Sequence, residues 1–258
     1  MTSLIPVKEC AKILQSKEKT VKEKYNILYH LRTHANEESA NALKDSYSFL
    51  DSDLLQHEVM FILGQIKLDC SFPYLISILN DEKESPVVRH EAGEALSNFL
   101  KFEKSVIPIL KKYLNHKNSL ISSTAQIALK KLEYSHLRER YGKYIPGSLE
   151  PAAPFEENEL IEFLNKNNYI KENEFFIWPM ALDISSTKVD ELINKSALPL
   201  ERMLFDDSLH EFYKYRLMYC LRNKGDSISA IMLTRIMEKS KRNKSSPLLR
   251  HEVYLLYN

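Results

Sequence analysis

The sequence predicts an all-α protein built as a solenoid of stacked helix pairs. Strings of residues recur about 33 positions apart, which is typical of a repeat architecture. Within each repeat the apolar side chains follow the three- and four-residue spacing of an amphipathic helix. Only 5 of the 258 residues are glycine, which disfavours hairpin-rich β folds and glycine-rich phosphate-binding loops. Hydrophobic residues make up 44% of the chain, enough to bury a core.

The repeat unit contains two helices. Residues 57–63 and 90–96 both begin with His-Glu and align at a shift of 33. Residues 72–79 resemble residues 107–114, and both of these strings have a proline at the second position. A period of about 33 to 35 residues with two short amphipathic helices per unit is typical of HEAT-like solenoids.

A longer duplication predicts two homologous halves. Residues 25–32 align with residues 215–222 at a shift of 190, and residues 54–59 align with residues 248–253 at a shift of 194. The segment between the halves contains several prolines and the only tryptophan, Trp178, which indicates a linker with added helices. The expected division is an N-terminal HEAT-like half at 1–140, a linker with inserted helices at 141–200 and a C-terminal HEAT-like half at 201–258.

The second half is expected to be truncated. At a shift of 194, the counterpart of His90 would fall beyond Asn258, the last residue of the chain. We therefore expect the C-terminal half to lack the second of its two His-Glu motifs.

The composition argues against two classes of partner. The 36 lysine and arginine residues are balanced by 35 aspartate and glutamate residues, whereas a nucleic-acid-binding domain normally carries a basic excess on one face. The longest apolar stretch, residues 175–182, is far shorter than the ~20 residues of a membrane span. The three cysteines form no CxxC motif, as in proteins of reducing compartments. We expect a cytoplasmic protein that binds neither nucleic acid nor membranes, and the sequence leaves the oligomeric state open.

Four of the eight histidines are followed directly by glutamate. Three of these pairs occupy equivalent repeat positions, and they are His57-Glu58, His90-Glu91 and His251-Glu252. The fourth, His210-Glu211, precedes the other helix of its unit, and we expect it to be an ordinary helix start. Because stacked repeats place equivalent positions on one face, the three equivalent pairs predict a shared site.

Side chains of this kind on neighbouring helices can share a metal ion. Adjacent helix axes lie roughly 8–10 Å apart, so imidazole and carboxylate groups can meet at an ion at bond lengths of about 2.0–2.2 Å. His57, His90 and Glu91 would supply two imidazoles and one carboxylate, a set that suits ferrous iron handling dioxygen. His251 would lead a second set in the other half. The alternative is that these are polar residues near helix starts, where glutamate favours the helix dipole.

The remaining glutamates are expected to have other roles. Neighbouring residues on a helix point about 100° apart, so the two members of a His-Glu pair are not expected to bind metal equally. Some glutamates should instead contact a cationic substrate, which a carboxylate-lined groove attracts. Glu94 lies one turn after His90 and could either support that ligand through a hydrogen bond or make an ordinary interhelix contact.

Several strings closely resemble the deoxyhypusine hydroxylase family, whose members are HEAT-repeat monooxygenases with two iron ions. They are HEVMFILGQ at 57–65, PVVRHEAGEAL at 86–96, SLEPAAP at 148–154, LMYCLRN at 217–223 and LRHEV at 249–253. The string RHEAGEAL is specific, whereas a bare His-Glu pair is not. The resemblance covers nearly the whole chain except residues 158–200, which resemble an insertion.

The resemblance implies a specific activity. A member of this family is expected to hydroxylate the deoxyhypusine side chain of translation initiation factor five-A, using dioxygen and two Fe²⁺ ions. By this resemblance His57, His90 and Glu91 match the ligands of one iron, and His251 matches a ligand of the other.

The same resemblance assigns the other acidic residues. Glu58 and Glu252 match catalytic carboxylates that face the amines of the substrate. Because the fourth His-Glu motif is missing, the ligand set of the second iron is expected to be incomplete, so that only one iron is firmly held. A competing function follows from this incompleteness, namely a HEAT-repeat scaffold that is derived from the enzyme and binds the factor without turnover.

Overall fold

The computed structural model describes residues 4–140, 151–172, 174, 176, 189–224 and 227–242. Over these residues the regular secondary structure consists of α-helices and short 3-10 turns, which confirms the all-α fold class. The chain divides into two compact units, Met1–Leu149 and Glu150–Asn258. The three-part division at 1–140, 141–200 and 201–258 stays a prediction.

The first unit contains four consecutive helix pairs. Its helices are α1 (Val7–Gln15), α2 (Val21–His34), α3 (Glu37–Ser46), α4 (Asp53–Ile66), α5 (Phe72–Asn80), α6 (Pro86–Leu96), α7 (Glu103–Lys111) and α8 (Ser119–Arg140). Short 3-10 turns at Tyr47–Phe49, Asp69–Ser71 and Leu100–Phe102 follow α3 and precede α5 and α7.

The helices stack as the repeat predicts. In each pair the first helix packs against the second, and the second helices form one row in which α2 contacts α4, α4 contacts α6, and α6 contacts α8. Helices α4, α6 and α8 begin at Asp53, Pro86 and Ser119, which lie 33 residues apart in each step. This regular stacking is that of a HEAT-like solenoid, and it confirms the predicted fold.

Local sequence signals explain where these helices begin and which faces they bury. The Thr20 hydroxyl accepts a hydrogen bond from the Glu23 N–H and the Glu23 carboxylate accepts one from the Thr20 N–H, which forms a capping box at the start of α2. Pro86 occupies the first position of α6, where the missing N–H leaves no helical hydrogen bond unmade. On α4 the apolar residues Val59 and Ile62 are fully buried, which matches their helical spacing.

A glycine sets the distance between α4 and α6. A Cβ atom at Gly64 would lie 2.6 Å from the Cβ of Ala95, closer than real Cβ contacts. The Asn98 side chain donates a hydrogen bond of 3.2 Å to the Gly64 carbonyl at the same place. This close approach keeps the two helices that carry the first two His-Glu pairs in direct contact.

The second unit consists of α9 (Glu157–Lys166), α10 (Val189–Leu204), α11 (Glu211–Lys224) and α12 (Ser227–Arg242) in its described part. Helix α10 packs against α9, α11 and α12. Arg216 of α11, only 2% exposed, donates to the Ala153 carbonyl at 2.8 Å, pairs with Glu159 at 2.7 Å and lies over the Phe155 ring. These contacts tie the segment that precedes α9 to α11. None of the helices in the described ranges could traverse a bilayer.

Replacing Gly64 by alanine is expected to destabilise the protein, although alanine normally stabilises a helix interior by about 1 kcal/mol relative to glycine. The added methyl group would push α6 away from α4, and such overpacking costs about 1–3 kcal/mol. Urea denaturation followed by circular dichroism measures the free energy of unfolding. Asn41→Ala on the exposed face of α3 is the control and should change stability by less than about 0.5 kcal/mol. A Gly64→Ala protein at least as stable as the wild type would contradict the close approach.

Candidate metal centre

The candidate site lies where α4 and α6 stack. His57 is the fifth residue of α4 and His90 is the fifth residue of α6, so the repeat places the two imidazoles at equivalent positions of neighbouring helices. Glu58 and Glu91 follow them directly. All four side chains are buried. The structure therefore brings together the first two of the His-Glu pairs that the sequence singles out.

Both imidazoles direct the same ring nitrogen at one carboxylate oxygen. His57 Nε2 lies 3.0 Å from Glu91 Oε2, and His90 Nε2 lies 3.8 Å from the same oxygen. The centroids of the two rings are 6.1 Å apart. The three residues each offer one ligand atom, and these atoms all lie within 4.8 Å of one another.

This arrangement fits a transition-metal ion. At bond lengths of about 2.1 Å, two ligands at right angles on one ion are about 3 Å apart, which is close to the separations around Glu91. Two imidazoles and one carboxylate that leave further positions open are the donor set of non-haem ferrous iron. Elsewhere in the described ranges, no second group of three His, Cys, Asp or Glu side chains meets the same distance criterion.

A threonine on α8 fixes the ring of His90. Thr124 Oγ1 lies 2.7 Å from His90 Nδ1 and donates its own hydrogen to the Leu120 carbonyl at 2.7 Å. Because the hydroxyl hydrogen is directed at Leu120, Thr124 accepts a hydrogen bond from the Nδ1–H of His90. The proton of the neutral ring then lies on Nδ1, and the lone pair of Nε2 faces Glu91. Metal-binding histidines usually have a partner of this kind behind the ring.

Thr124 is absent from the residues that sequence reasoning selects, although the repeat contains a signal for it. Thr124 lies 33 residues after Glu91, which lies 33 residues after Glu58. The three positions are therefore equivalent on α8, α6 and α4, and extending the shift by one more unit places Thr124 at the site. A search for metal-binding residue types does not select it, because threonine is neither a usual metal ligand nor an acid.

Glu58 lies beside the other ring nitrogen of His57. Its Oε1 atom is 3.6 Å from His57 Nδ1. Its Oε2 atom accepts a hydrogen bond of 2.9 Å from the hydroxyl of Tyr29 on α2. Glu58 is not part of the three-residue group that could hold an ion, whereas both members of the pair His90-Glu91 are.

Glu94 is a further buried carboxylate next to His90. Its Oε1 atom lies 3.6 Å from His90 Nδ1, whereas Thr124 Oγ1 lies at 2.7 Å. The Nδ1–H group therefore donates to Thr124, and the Glu94 carboxyl group lies farther from that nitrogen. The role of Glu94 as a hydrogen-bonding support of a metal ligand stays a prediction.

His57 carries the compensating charge of this acidic site. Burial lowers the pKa of His57, but the carboxylates of Glu91 and Glu58 outweigh burial and raise the pKa to about 10. In the metal-free protein the imidazole is therefore a cation that lies between two carboxylates. A divalent ion bound by His57 would displace this proton and take over its compensating charge.

The remaining predicted site residues are accounted for separately. His251 and Glu252 lie outside the described residues. His210 lies directly before α11, and its Nδ1 atom accepts a hydrogen bond of 3.1 Å from the Phe212 N–H. This is an ordinary contact at a helix start, as expected for that pair.

Several known proteins that are similar to this chain in sequence or structure are named deoxyhypusine hydroxylase. Human deoxyhypusine hydroxylase is 30% identical over 206 residues, which make up 79% of this chain and 53% of the human protein. The Neurospora crassa deoxyhypusine hydroxylase is 28% identical over 248 residues, 91% of this chain and 66% of that protein. A solved structure of human deoxyhypusine hydroxylase in complex with glycerol matches 97% of this chain and 72% of its own, with a TM-score of 0.70 and 26% identity. The chain belongs to the deoxyhypusine hydroxylase family.

Membership in the deoxyhypusine hydroxylase family confirms the resemblance carried by the His-Glu strings. No family model matches the chain. The chain spans 53% of the length of human deoxyhypusine hydroxylase and 38% of the Schizosaccharomyces pombe protein, to which it is 35% identical over 123 residues.

Removal of the Thr124 hydroxyl is expected to weaken metal binding. Thr124→Val keeps the shape of the side chain but removes the acceptor for His90 Nδ1–H, and losses of this kind lower metal affinity about 10- to 100-fold. Competition with a chromophoric chelator measures the affinity for Co²⁺. Thr124→Ser is the matched control, because it keeps the hydroxyl and should bind Co²⁺ as the wild type does. Equal affinities of the valine and serine variants would show that the hydroxyl does not support His90.

Proposed function

We propose that this protein hydroxylates a deoxyhypusine side chain of a protein substrate, with an iron ion held by His57, His90 and Glu91. The observation that supports this most directly is the buried group of two imidazoles and one carboxylate in a chain of the deoxyhypusine hydroxylase family. The proposed substrate is translation initiation factor five-A, which the family resemblance implies. The proposed setting is the cytoplasm, in keeping with three cysteines that are all free.

The proposed reaction inserts one oxygen atom of dioxygen into a C–H bond of the substrate side chain. The C–H bond becomes C–OH, and the second oxygen atom leaves as water. Besides dioxygen this consumes two electrons and two protons, which a soluble two-electron reductant such as a dithiol supplies. Ferrous iron, when bound, supplies the redox chemistry toward dioxygen that amino-acid side chains lack.

The side chains of the site hold and orient the ligand atoms. Thr124 keeps the proton of His90 on Nδ1, so that Nε2 is available to an ion. Contact between α4 and α6 at Gly64 keeps His57 and His90 close together. Burial of all three ligands limits the access of bulk water, which strengthens their electrostatic interaction with an ion.

The negative charge of the site suits a cationic substrate. The amines of deoxyhypusine are protonated at neutral pH, and clefts lined by carboxylates attract such cations. Glu58 and Glu94 are buried beside the ligand group. We assign Glu58, and Glu252 in the second half, to contact with the substrate amines. His251 is the proposed ligand of a second iron.

Alanine substitutions at two histidines separate the two proposed iron sites. His57→Ala should abolish the iron of the first site and hydroxylation together, because it removes one of three proposed ligands. His251→Ala should retain the iron of the first site. Mass spectrometry of the metal content gives the iron per chain after anaerobic loading with Fe²⁺, and intact-mass analysis detects the gain of one oxygen atom on the substrate. His116→Ala, outside the site on the loop before α8, is the control.

Two outcomes would contradict the proposed function. The first is a wild-type protein that stays free of iron after anaerobic loading. The second is an iron-loaded protein that binds the deoxyhypusine form of the factor without adding oxygen in a single turnover. The second result would favour a binding protein without catalytic activity.

A further inference from the structure

We infer that Tyr29 of α2 is a positioning residue of the metal centre, which acts by holding Glu58 beside His57. This inference rests on the metal centre proposed above. It extends that centre from α4, α6 and α8 to a fourth helix, α2, and Tyr29 lies outside all of the His-Glu pairs.

A chain of contacts leads from Tyr29 to the ligand group. The Tyr29 hydroxyl donates to Glu58 Oε2 at 2.9 Å, and Glu58 Oε1 lies 3.6 Å from His57 Nδ1. Glu58 is only 4% exposed, so solvent screens its charge weakly and its position acts strongly on the imidazole beside it. A carboxylate fixed at Nδ1 favours the ring orientation in which Nε2 faces Glu91, 3.0 Å away.

Each of the two imidazoles has a supporting group beside Nδ1 and directs Nε2 at Glu91. His90 has Thr124 of α8 behind Nδ1 at 2.7 Å, and Nε2 faces Glu91. His57 has Glu58 beside Nδ1, and its Nε2 also faces Glu91. At His57 the supporting group is a long, flexible side chain of the same helix, which needs an anchor of its own. Tyr29 provides that anchor from the neighbouring helix α2.

Tyr29 is itself held in place. The Tyr25 hydroxyl lies 3.3 Å from the Tyr29 hydroxyl one turn away on α2. The Arg32 guanidinium lies over the Tyr29 ring, 4.7 Å from its centroid, and donates to Gln65 of α4 at 3.0 Å. Because the cation over the ring belongs to the protein, the contacts favour an orienting role for Tyr29 over direct binding of a substrate cation.

A double-mutant cycle on the full chain tests this inference through metal affinity. The proteins are the wild type, Tyr29→Phe, Glu58→Gln and the double variant, and the probe is Co²⁺ in competition with a chromophoric chelator. Loss of Co²⁺ binding in His57→Ala identifies binding at this site. Tyr29→Phe should lower Co²⁺ affinity about three- to tenfold, as for loss of one hydrogen bond of typical net strength. Glu58→Gln should lower it about 10- to 100-fold, and the double variant should match Glu58→Gln alone.

A matched control is available in the same unit. Tyr47 donates to Glu84 at 2.6 Å, away from the site, so Tyr47→Phe also removes a tyrosine–carboxylate hydrogen bond. It should leave Co²⁺ affinity unchanged. Thermal unfolding of all variants separates a loss of fold from a loss of affinity.

Two results overturn the inference. One is an unchanged Co²⁺ affinity of Tyr29→Phe; the other is the same further loss when Tyr29→Phe is added to Glu58→Gln, because Tyr29 would then not act through Glu58. Absence of hydroxylation by a wild-type protein that binds Co²⁺ at this site contradicts the proposed function alone. Absence of Co²⁺ binding by the wild type overturns both.

Discussion

Burial of the Glu91 carboxylate is the constraint on which the rest of the site depends. One of its oxygens faces the Nε2 atoms of His57 and His90 at 3.0 and 3.8 Å. A carboxylate removed from water needs a compensating positive charge, or its burial costs several kcal/mol. In the metal-free protein the protonated His57 supplies that charge, and in the proposed holoprotein a divalent ion takes over the role. The contact between α4 and α6 is thus polar at a place where a solenoid would otherwise pack apolar side chains.

The helical repeat determines which side chains lie around the buried Glu91 carboxylate. A period of 33 residues places equivalent positions of α4, α6 and α8 next to one another, so that each added helix can contribute one further group. Helix α4 contributes His57, α6 contributes His90, and α8 contributes the Thr124 hydroxyl behind His90. Gly64 keeps the first two of these helices close. A rigid stack of this kind positions side chains more precisely than loops would.

The helical fold and the proximity of His57, His90 and Glu91 could be predicted from the sequence because both follow from its 33-residue period. His57, His90 and Glu91 combine a repeat position with a residue type that binds metals, and these two signals are independent. Thr124 occupies an equivalent repeat position, but threonine is not a residue type that usually binds metals. Tyr29 has neither the repeat position nor a metal-binding residue type. Its contact with Glu58 depends on how α2 packs against α4, which the sequence pattern does not specify. The roles of His251 and Glu252 stay predictions.

The most direct test of the metal centre is anomalous diffraction from crystals of the Fe²⁺-loaded protein, with data collected on both sides of the iron absorption edge. The expected result is an iron peak within bonding distance of the Nε2 atoms of His57 and His90 and of a Glu91 carboxylate oxygen. A protein that holds iron in the crystal but shows no peak among these three side chains would contradict the proposed centre.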